Sequence, residues 1–259
     1  MAFFLSVVSH EHDKYIESNL ELLELSRMAG VTVVIRDNVG SDRLAIFAQT
    51  QAIDYFSAVS PSGFGANNNA VFDYCRSELG MQSSDYFCLL NPDLFIAPDV
   101  LLACVAEAQR RHARLVTINL FEDFDYSHPD LNIKRFPSLL DFAKGFLLGT
   151  NPAAYDKSLL TESCVVDWAS GAFLLFRADL YEQLDGFDER FFMYLEDVDI
   201  CRRAREHCAE ELLYLPQLKA VHLCEQANKK LFSKHFIWFL TSMTRYFLKH
   251  GWKAPTARL

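Results

Sequence analysis

Three carboxylates, Glu196, Asp197 and Asp199, fall within four positions of the stretch FFMYLEDVDICRR (191–203), directly after an aromatic cluster. Like charges at that spacing repel one another, and apolar neighbours such as Phe191, Phe192 and Tyr194 withdraw the water that supports ionisation. Both effects push a carboxyl pKa upward from its reference value, about 3.9 for Asp. A carboxylate perturbed in this way can take a proton from a substrate hydroxyl near neutral pH, as a general base does. On a helix, Glu196 and Asp199 share a face while Asp197 points about 100° away. Asp197 can therefore address one substrate while its neighbours hold the site. The same residues also suit a structural role. Acids in the first turn complement the helix dipole, and Asp199 can pair with Arg203 at i, i+4.

Further polar groups stand at the ends of apolar segments: Ser9-His10, Asp37-Asn38 and Asn91-Pro92-Asp93. Carboxylates there suit ribose hydroxyls, a base edge or a hard cation, and Asp93 with Asn91 could hold Mg2+, which prefers oxygen ligands. Taken singly, Asp37 and Asp93 serve equally well to start or cap a turn. His222, in LKAVHLC, is either a satisfied core histidine or a metal ligand, and the soft thiol of Cys224 beside it is wrong for Mg2+. Trp168, ahead of Ser170-Gly171-Ala172, is either core or an aromatic floor for a sugar ring. Neither GxGxxG nor GxxxxGK[ST] occurs, so a dinucleotide fold and a P-loop kinase are excluded.

The elements that must carry these groups alternate. Residues 3–10, 31–38, 85–93 and 113–120 read as buried strands, and 15–30, 66–80 and 97–112 as helices. That order predicts a doubly wound, mostly parallel α/β sheet with right-handed crossovers. Residues 121–163 break the rhythm and read as a loop or lid insertion. Strand-like 165–177, a helix through Arg205, a strand near 211–223 and a long aromatic-basic helix close the chain. The expected division is a domain over 1–224, with a boundary between halves at 120, and a helical appendage over 225–259.

Composition narrows the function classes. The chain has 259 residues, 51% apolar and 14% aromatic, enough for one large core. A net charge of −9 excludes a general nucleic-acid binder. From Gln226 onward there are seven Lys/Arg and no acid, leaving 18 basic against 34 acidic residues, a balance of −16, in the rest. A basic tail on an acidic body suggests a separate task, with a membrane surface the candidate. Seven scattered cysteines without CxxC spacing predict reduced thiols. With no signal-peptide pattern and no apolar run near the ~18 residues that span a bilayer, the expectation is a cytoplasmic protein, peripheral on the inner membrane face if the tail binds there.

GFDERFFMYLEDVDICRRARE together with VDWASGAFLLFRADLYEQLDGFDE resembles the acceptor-side signature of family 2 inverting glycosyltransferases with the GT-A fold. SGFGANNNAVF (62–72) is similar to the glycine-asparagine segment of their nucleotide half, and LLNPD occupies the place of their metal-binding DxD motif. The subgroup resembled is the bacterial rhamnosyltransferases of O-antigen and other surface polysaccharides, over roughly residues 3–250. The resemblance implies Asp197 as base and Glu196 as an acceptor-hydroxyl contact, with Trp168 beside the acceptor. It implies a Mg2+ or Mn2+ site on Asp93, Asn91 and His222, and a nucleotide-sugar donor held by Ser9, Asp37, Asn68 and Asn69. The implied donor is dTDP-L-rhamnose and the acceptor a growing glycan or lipid-linked sugar. Asn91 stands where the motif has its first Asp, so strict metal dependence is left open. A sugar-phosphate nucleotidyltransferase would need a basic, glycine-rich loop after the first strand, which SVVSHEHDKY lacks. A non-catalytic assembly subunit is disfavoured by the intact acidic motif.

Overall fold

The computed structural model describes residues 1–141, 153–224 and 234–252. Its strands are β1 (Phe3–Ser9), β2 (Val31–Asp37), β3 (Asp54–Ser57), β4 (Tyr86–Leu90), β5 (Leu94–Phe95), β6 (Leu115–Phe121), β7 (Ile133–Lys134), β8 (Cys164–Val166), β9 (Trp168–Ala169), β10 (Phe173–Arg177) and β11 (Leu212–His222). Its helices are α1 (Asp13–Ser18), α2 (Leu20–Ser26), α3 (Asp42–Gln51), α4 (Phe64–Ser77), α5 (Pro98–Arg110), α6 (Ala178–Gln183), α7 (Glu196–Cys208) and α8 (Lys234–His250).

The main sheet runs β3-β2-β1-β4-β10-β6-β11-β5, with β8 also on β11. β3, β2, β1 and β4 are parallel, as the strand–helix alternation predicts. β10 then enters antiparallel between β4 and β6, and the sheet becomes mixed. Every residue of β4 and β6 is buried, because helices or the tail cover both faces. One core layer gathers α2, α3 and α5 through Leu22, Leu25, Leu44, Leu101 and Val105. The other gathers α4, α6, α7 and α8 through Val71, Phe72, Tyr181, Val198, Tyr246 and Phe247.

Three local departures have physical causes. The helix expected over 15–30 is two, because Asn19 breaks it. Its Oδ1 accepts from the Leu22 N–H (2.9 Å) to cap α2, and its Nδ2 donates to the Leu94 carbonyl (2.9 Å). The strand expected over 165–177 is three short strands, turning at Ser170-Gly171-Ala172 so that β9 joins the small β7 ribbon and β10 joins the main sheet. α3 and β3 fill residues 42–57, a region without a clear sequence signal; α3 is capped by the Ser41 side chain at the Leu44 N–H.

The asparagines of α4 fasten the two halves together. Asn67 accepts from Arg36 Nε (3.2 Å) and donates to the Gly63 carbonyl (3.0 Å). Asn68 accepts from Ser6 Oγ (2.7 Å) on β1. Asn69 Oδ1 accepts from Tyr181 Oη and the Phe187 N–H (both 2.8 Å), while its Nδ2 donates to the Phe187 carbonyl (2.9 Å). Gly63 and Gly186 make these approaches possible. A Cβ at Gly63 would stand 2.3 Å from the Phe192 carbonyl oxygen, and one at Gly186 (φ +59°) would stand 2.3 Å from Asn69 Oδ1. Asn68 and Asn69, expected on the nucleotide, thus have their hydrogen bonds inside the frame.

Asn69→Leu leaves the Tyr181 hydroxyl and the Phe187 peptide without buried partners. It should cost about 2–4 kcal/mol, seen as a lower urea midpoint at unchanged m-value. Full stability combined with weakened nucleotide binding would instead return Asn69 to the ligand site.

Candidate active site

The approach to α7 is unusual. Tyr194 (φ +71°) and Leu195 (φ +65°) are consecutive non-glycine residues in the left-handed region, a conformation costing on the order of 1–3 kcal/mol each unless the surroundings enforce it. The tail helix enforces it. Ser242 Oγ donates to the Met193 carbonyl (2.8 Å), Tyr194 Oη meets His235 Nδ1 (2.9 Å), and Phe192 packs on Trp238. No side chain of Leu195 caps α7, and the carboxylate of Asp197 takes over: Oδ1 accepts from the Val198 N–H (2.8 Å) and Oδ2 from the Gly171 N–H (3.3 Å).

The three acids diverge electrostatically. Burial raises Asp197 above the ordinary carboxylate range, opposed chiefly by the Lys134 ammonium and then by its backbone N–H partners. Glu196 is 5% exposed, its Oε2 has no hydrogen-bond partner, and burial followed by the Asp197 charge raises it well above its usual value. Asp199 goes the other way. Burial alone would raise it, but His250 Nε2 (2.6 Å), Arg203 Nε (2.7 Å) and Lys249 Nζ (2.7 Å) pull it below the usual range. The structural role therefore belongs to Asp199, through the i, i+4 pair with Arg203. Arg203 extends that network to the Leu184 (2.6 Å) and Gly186 (2.7 Å) carbonyls.

The second pole of the site assembles Asn91, Asp93 and His222. His222 Nε2 lies 3.2 Å from the Asn91 amide nitrogen and 3.5 Å from Asp93 Oδ1. Its Nδ1 faces Asp130 Oδ2 at 2.9 Å and the Cys224 thiol at 3.2 Å. Burial disfavours the imidazolium, but Asp130 outweighs it with Cys224 and Asp93, and His222 is raised to about 10. A carboxylate on Nδ1 turns Nε2 toward Asp93, the arrangement that orients a metal-binding imidazole. These residues would fit a divalent cation once His222 Nε2 gives up its proton and the Asn91 amide turns its oxygen inward, with Asp93 as the charged ligand. A softer trio, Asp130, His222 and Cys224, also lies within 4.8 Å. There the half-buried Lys157 ammonium, lowered to about 8 by desolvation against the pull of Asp130 and Cys224, already supplies positive charge. The two poles meet at one turn: Gly171 N–H serves Asp197, and the Ala172 carbonyl accepts from the Asn91 N–H (3.0 Å).

The nucleotide candidates separate. Ser9 and Asp37 are register partners on β1 and β2, and both are buried. Asp37 accepts from the Val39, Gly40 and Ser41 N–H groups (3.0, 3.1 and 2.6 Å) and from Tyr55 Oη (3.0 Å); these outweigh burial and hold it below its usual value. It shapes the loop that starts at Asn38, whose amide binds the Ser62 backbone (2.8 and 3.0 Å) and lies 3.2 Å from His10. Trp168 is 9% exposed, its Nε1 donates to the Arg135 carbonyl (2.9 Å), and the Lys134 ammonium lies 4.9 Å over its ring. The ring face expected to floor the acceptor site is covered by Lys134. Lys134 and Asp130 sit in the stretch taken for an insertion, and no spacing pattern marked them. On α8, Ile237, Leu240 and Leu248 are exposed, as is Trp252 just beyond it. Lys249 pairs with Asp188 as well as Asp199, and the part of the basic tail over 225–233 lies outside the described residues.

The chain is 35% identical over 244 residues to rhamnosyltransferase WbbL of Escherichia coli (strain K12), covering 94% of this chain and 91% of that one. It belongs to the rhamnosyltransferase-like group of family 2 glycosyltransferases. N-acetylglucosaminyl-diphospho-decaprenol L-rhamnosyltransferase of Mycobacterium tuberculosis (strain CDC 1551 / Oshkosh) is 28% identical over 233 residues, 83% of this chain and 74% of that one. Among solved structures, a Pyrobaculum calidifontis mannosyltransferase in complex with GDP-Man and Mn2+ aligns with TM-score 0.60 at 15% identity, covering 98% of this transferase and 65% of that chain. Staphylococcus aureus TarS 1-349 in complex with UDP aligns with TM-score 0.57 at 16% identity, over 85% and 60%. The transferase thus spans less than two thirds of these structural neighbours, and it shares their GT-A fold. No family model matches the chain. Among the described residues no helix is long and apolar enough to cross a membrane.

Asp199 gives a pH prediction with a definite sign. A carboxyl held below its unfolded pKa stabilises the fold above that unfolded value, and the stabilisation fades as pH falls through the folded one. Asp199→Asn, which leaves the buried Arg203 guanidinium without its carboxylate, should cost about 3–5 kcal/mol at pH 7. In denaturant titrations the gap from wild type should narrow below about pH 4. A gap constant across that range would contradict the pairing.

Proposed function

We propose that the transferase moves L-rhamnose from dTDP-L-rhamnose to a hydroxyl of a growing surface glycan or lipid-linked acceptor, by a single displacement that inverts the anomeric carbon. The observation that carries this reading is Asp197, a half-buried carboxylate with a raised pKa at the strained start of α7, one peptide away from the Asn91–Asp93–His222 pole. Asp197 takes the acceptor proton as the hydroxyl attacks, and the unpartnered Oε2 of Glu196 is poised to bind the same acceptor. Asp93, His222 and the Asn91 amide would hold Mg2+ or Mn2+, whose charge stabilises the departing diphosphate. The Asp37 loop and Ser9 border the nucleoside end, while Asn68 and Asn69 hold the frame behind it. Support for rhamnose comes from the two rhamnosyltransferase relatives, and support for a lipid-linked acceptor from the diphospho-decaprenol substrate that names the mycobacterial one. Support for a metal comes from the Mn2+ in the mannosyltransferase neighbour.

The tail fits a membrane-surface contact. Exposed Leu240 and Leu248 line a cleft of about 660 Å3 with Arg190, Arg245 and Lys249, and Ile237 and Trp252 are exposed elsewhere on the tail. Apolar side chains among cations suit an anionic leaflet, where a lipid-linked acceptor would be met. A tail bound in this way would hold the enzyme at the inner face of the cell membrane.

In a nucleotide-sugar panel, dTDP-L-rhamnose should stabilise and turn over better than UDP-sugars, and activity confined to a UDP-hexose would remove the rhamnose assignment. Asp197→Asn should lower kcat by roughly 10²–10⁴-fold with donor affinity nearly unchanged, whereas Asp93→Ala should weaken nucleotide binding and any metal response. Sedimentation with anionic liposomes should weaken as salt rises and drop when Lys234 and Arg245 become Glu. Equal sedimentation of mutant and wild type would leave the tail as a packing element.

A further inference from the structure

His222, the last residue of β11, meets a different set of groups at each ring nitrogen. Nε2 faces the Asn91 amide and Asp93, the pole proposed for a hard cation. Nδ1 faces Asp130 Oδ2 at 2.9 Å and the Cys224 thiol at 3.2 Å, and the three ligand atoms lie within 4.8 Å of one another. Neighbouring strands fix this second side. His222 pairs with Leu94 of β5, and Val221 with Phe121 of β6. The Asp130 N–H donates to the Leu120 carbonyl (3.0 Å), and the Leu223 N–H to the Asp93 carbonyl (3.2 Å). The sheet therefore brings the three groups together before any ligand arrives.

The donor set on Nδ1 is that of a soft cation. A carboxylate, an imidazole and a thiolate, with a fourth position for water, suit Zn2+, whereas Mg2+ and Mn2+ prefer oxygen. Zn2+ bonds of about 2.0–2.3 Å in a tetrahedron set ligand atoms roughly 3.4–3.6 Å apart. The distances of 2.9 and 3.2 Å need open only by about half an ångström or less. Binding leaves the net charge unchanged. One proton leaves Nδ1 of the imidazolium and one leaves the thiol as a divalent ion enters. The Lys157 ammonium, which donates to the Leu120 carbonyl (2.9 Å), thus meets no added charge. The two kinds of cation need opposite nitrogens of one ring. A hard cation on Nε2 needs that nitrogen bare and leaves the Nδ1 proton on Asp130. A soft cation on Nδ1 leaves the remaining N–H on Nε2, aimed at Asp93 and Asn91.

We propose that Asp130, His222 Nδ1 and Cys224 form a second cation site, selective for soft divalent ions such as Zn2+. Its occupancy closes the Asn91–Asp93–His222 pole to Mg2+ or Mn2+, so the transferase carries an inhibitory site on the far side of its own metal-binding histidine. The exclusion rests on the hard-cation reading of that pole, whereas the soft site stands on its own ligands.

The test uses Co2+ as an optical stand-in for Zn2+ on the full chain. Wild type should show a thiolate-to-cobalt charge-transfer band with the visible bands of a tetrahedral ion, bleached by one equivalent of Zn2+. Cys224→Ser should lose the charge-transfer band. It should also bind Zn2+ at least roughly tenfold more weakly, since losing even a supporting partner of a ligand costs about 10–100-fold. Asp93→Ala should keep both the band and the affinity, which separates this site from the hard pole. Mn2+ at that pole is read by EPR as loss of the free-ion signal. One equivalent of Zn2+ should release it from wild type but not from Cys224→Ser. No charge-transfer band in wild type, or one that persists in Cys224→Ser, would overturn the soft site. Zn2+ and Mn2+ bound together would overturn the exclusion. A wild type that never binds Mn2+ would strike the hard-cation reading itself and the exclusion with it, while the cobalt spectrum still decides the soft site.

Discussion

The geometry of the reaction centre depends on one constraint, the way the chain enters α7. Two successive left-handed residues, Tyr194 and Leu195, bring the helix start to the Gly171 turn without a side-chain N-cap. That conformation is unfavourable by itself and persists because α8 holds it, through Ser242 on the Met193 carbonyl, His235 on Tyr194 and Trp238 on Phe192. The tail helix is thus part of the active-site scaffold, whatever else its exposed face contacts.

The same helix settles the electrostatics. Three acids within one turn could all be raised by burial or all be neutralised by pairing. Instead the C-terminal end of α8 brings Lys249 and His250 to Asp199, and Arg203 completes the set. Asp199 stays ionised and structural, which leaves Glu196 desolvated with an unpartnered oxygen while Asp197 keeps the Gly171 and Val198 N–H groups. Separating neighbouring acids in this way assigns them different tasks.

The turn Ser170-Gly171-Ala172 joins the two chemical poles. Because β9 and β10 belong to different sheets, the chain must bend there, and its exposed peptide groups go to Asp197 on one side and Asn91 on the other. Asp197, the proposed base, and the Asn91–Asp93–His222 pole are therefore tied to a single short segment.

The sequence by itself determined the parallel β1–β4 half, the strand-end positions of Ser9, Asp37 and Asp93, and the burial of the acidic motif. Apolar period and turn residues are local signals, and each of these rests on them. It also marked Asp199–Arg203, since i, i+4 spacing is local. Only the tertiary structure decided that β10 enters antiparallel, that Asn68 and Asn69 hydrogen-bond to Ser6 and to the Phe187 peptide, and that Lys134 lies over the Trp168 ring. It alone brought Asp130 to His222 across 92 residues. These outcomes depend on which side chains meet across the fold, and a lysine or aspartate in an irregular loop carries no local sign of its partner. Charge, burial and spacing can be read along the chain; the neighbour that makes a charge useful is fixed by packing.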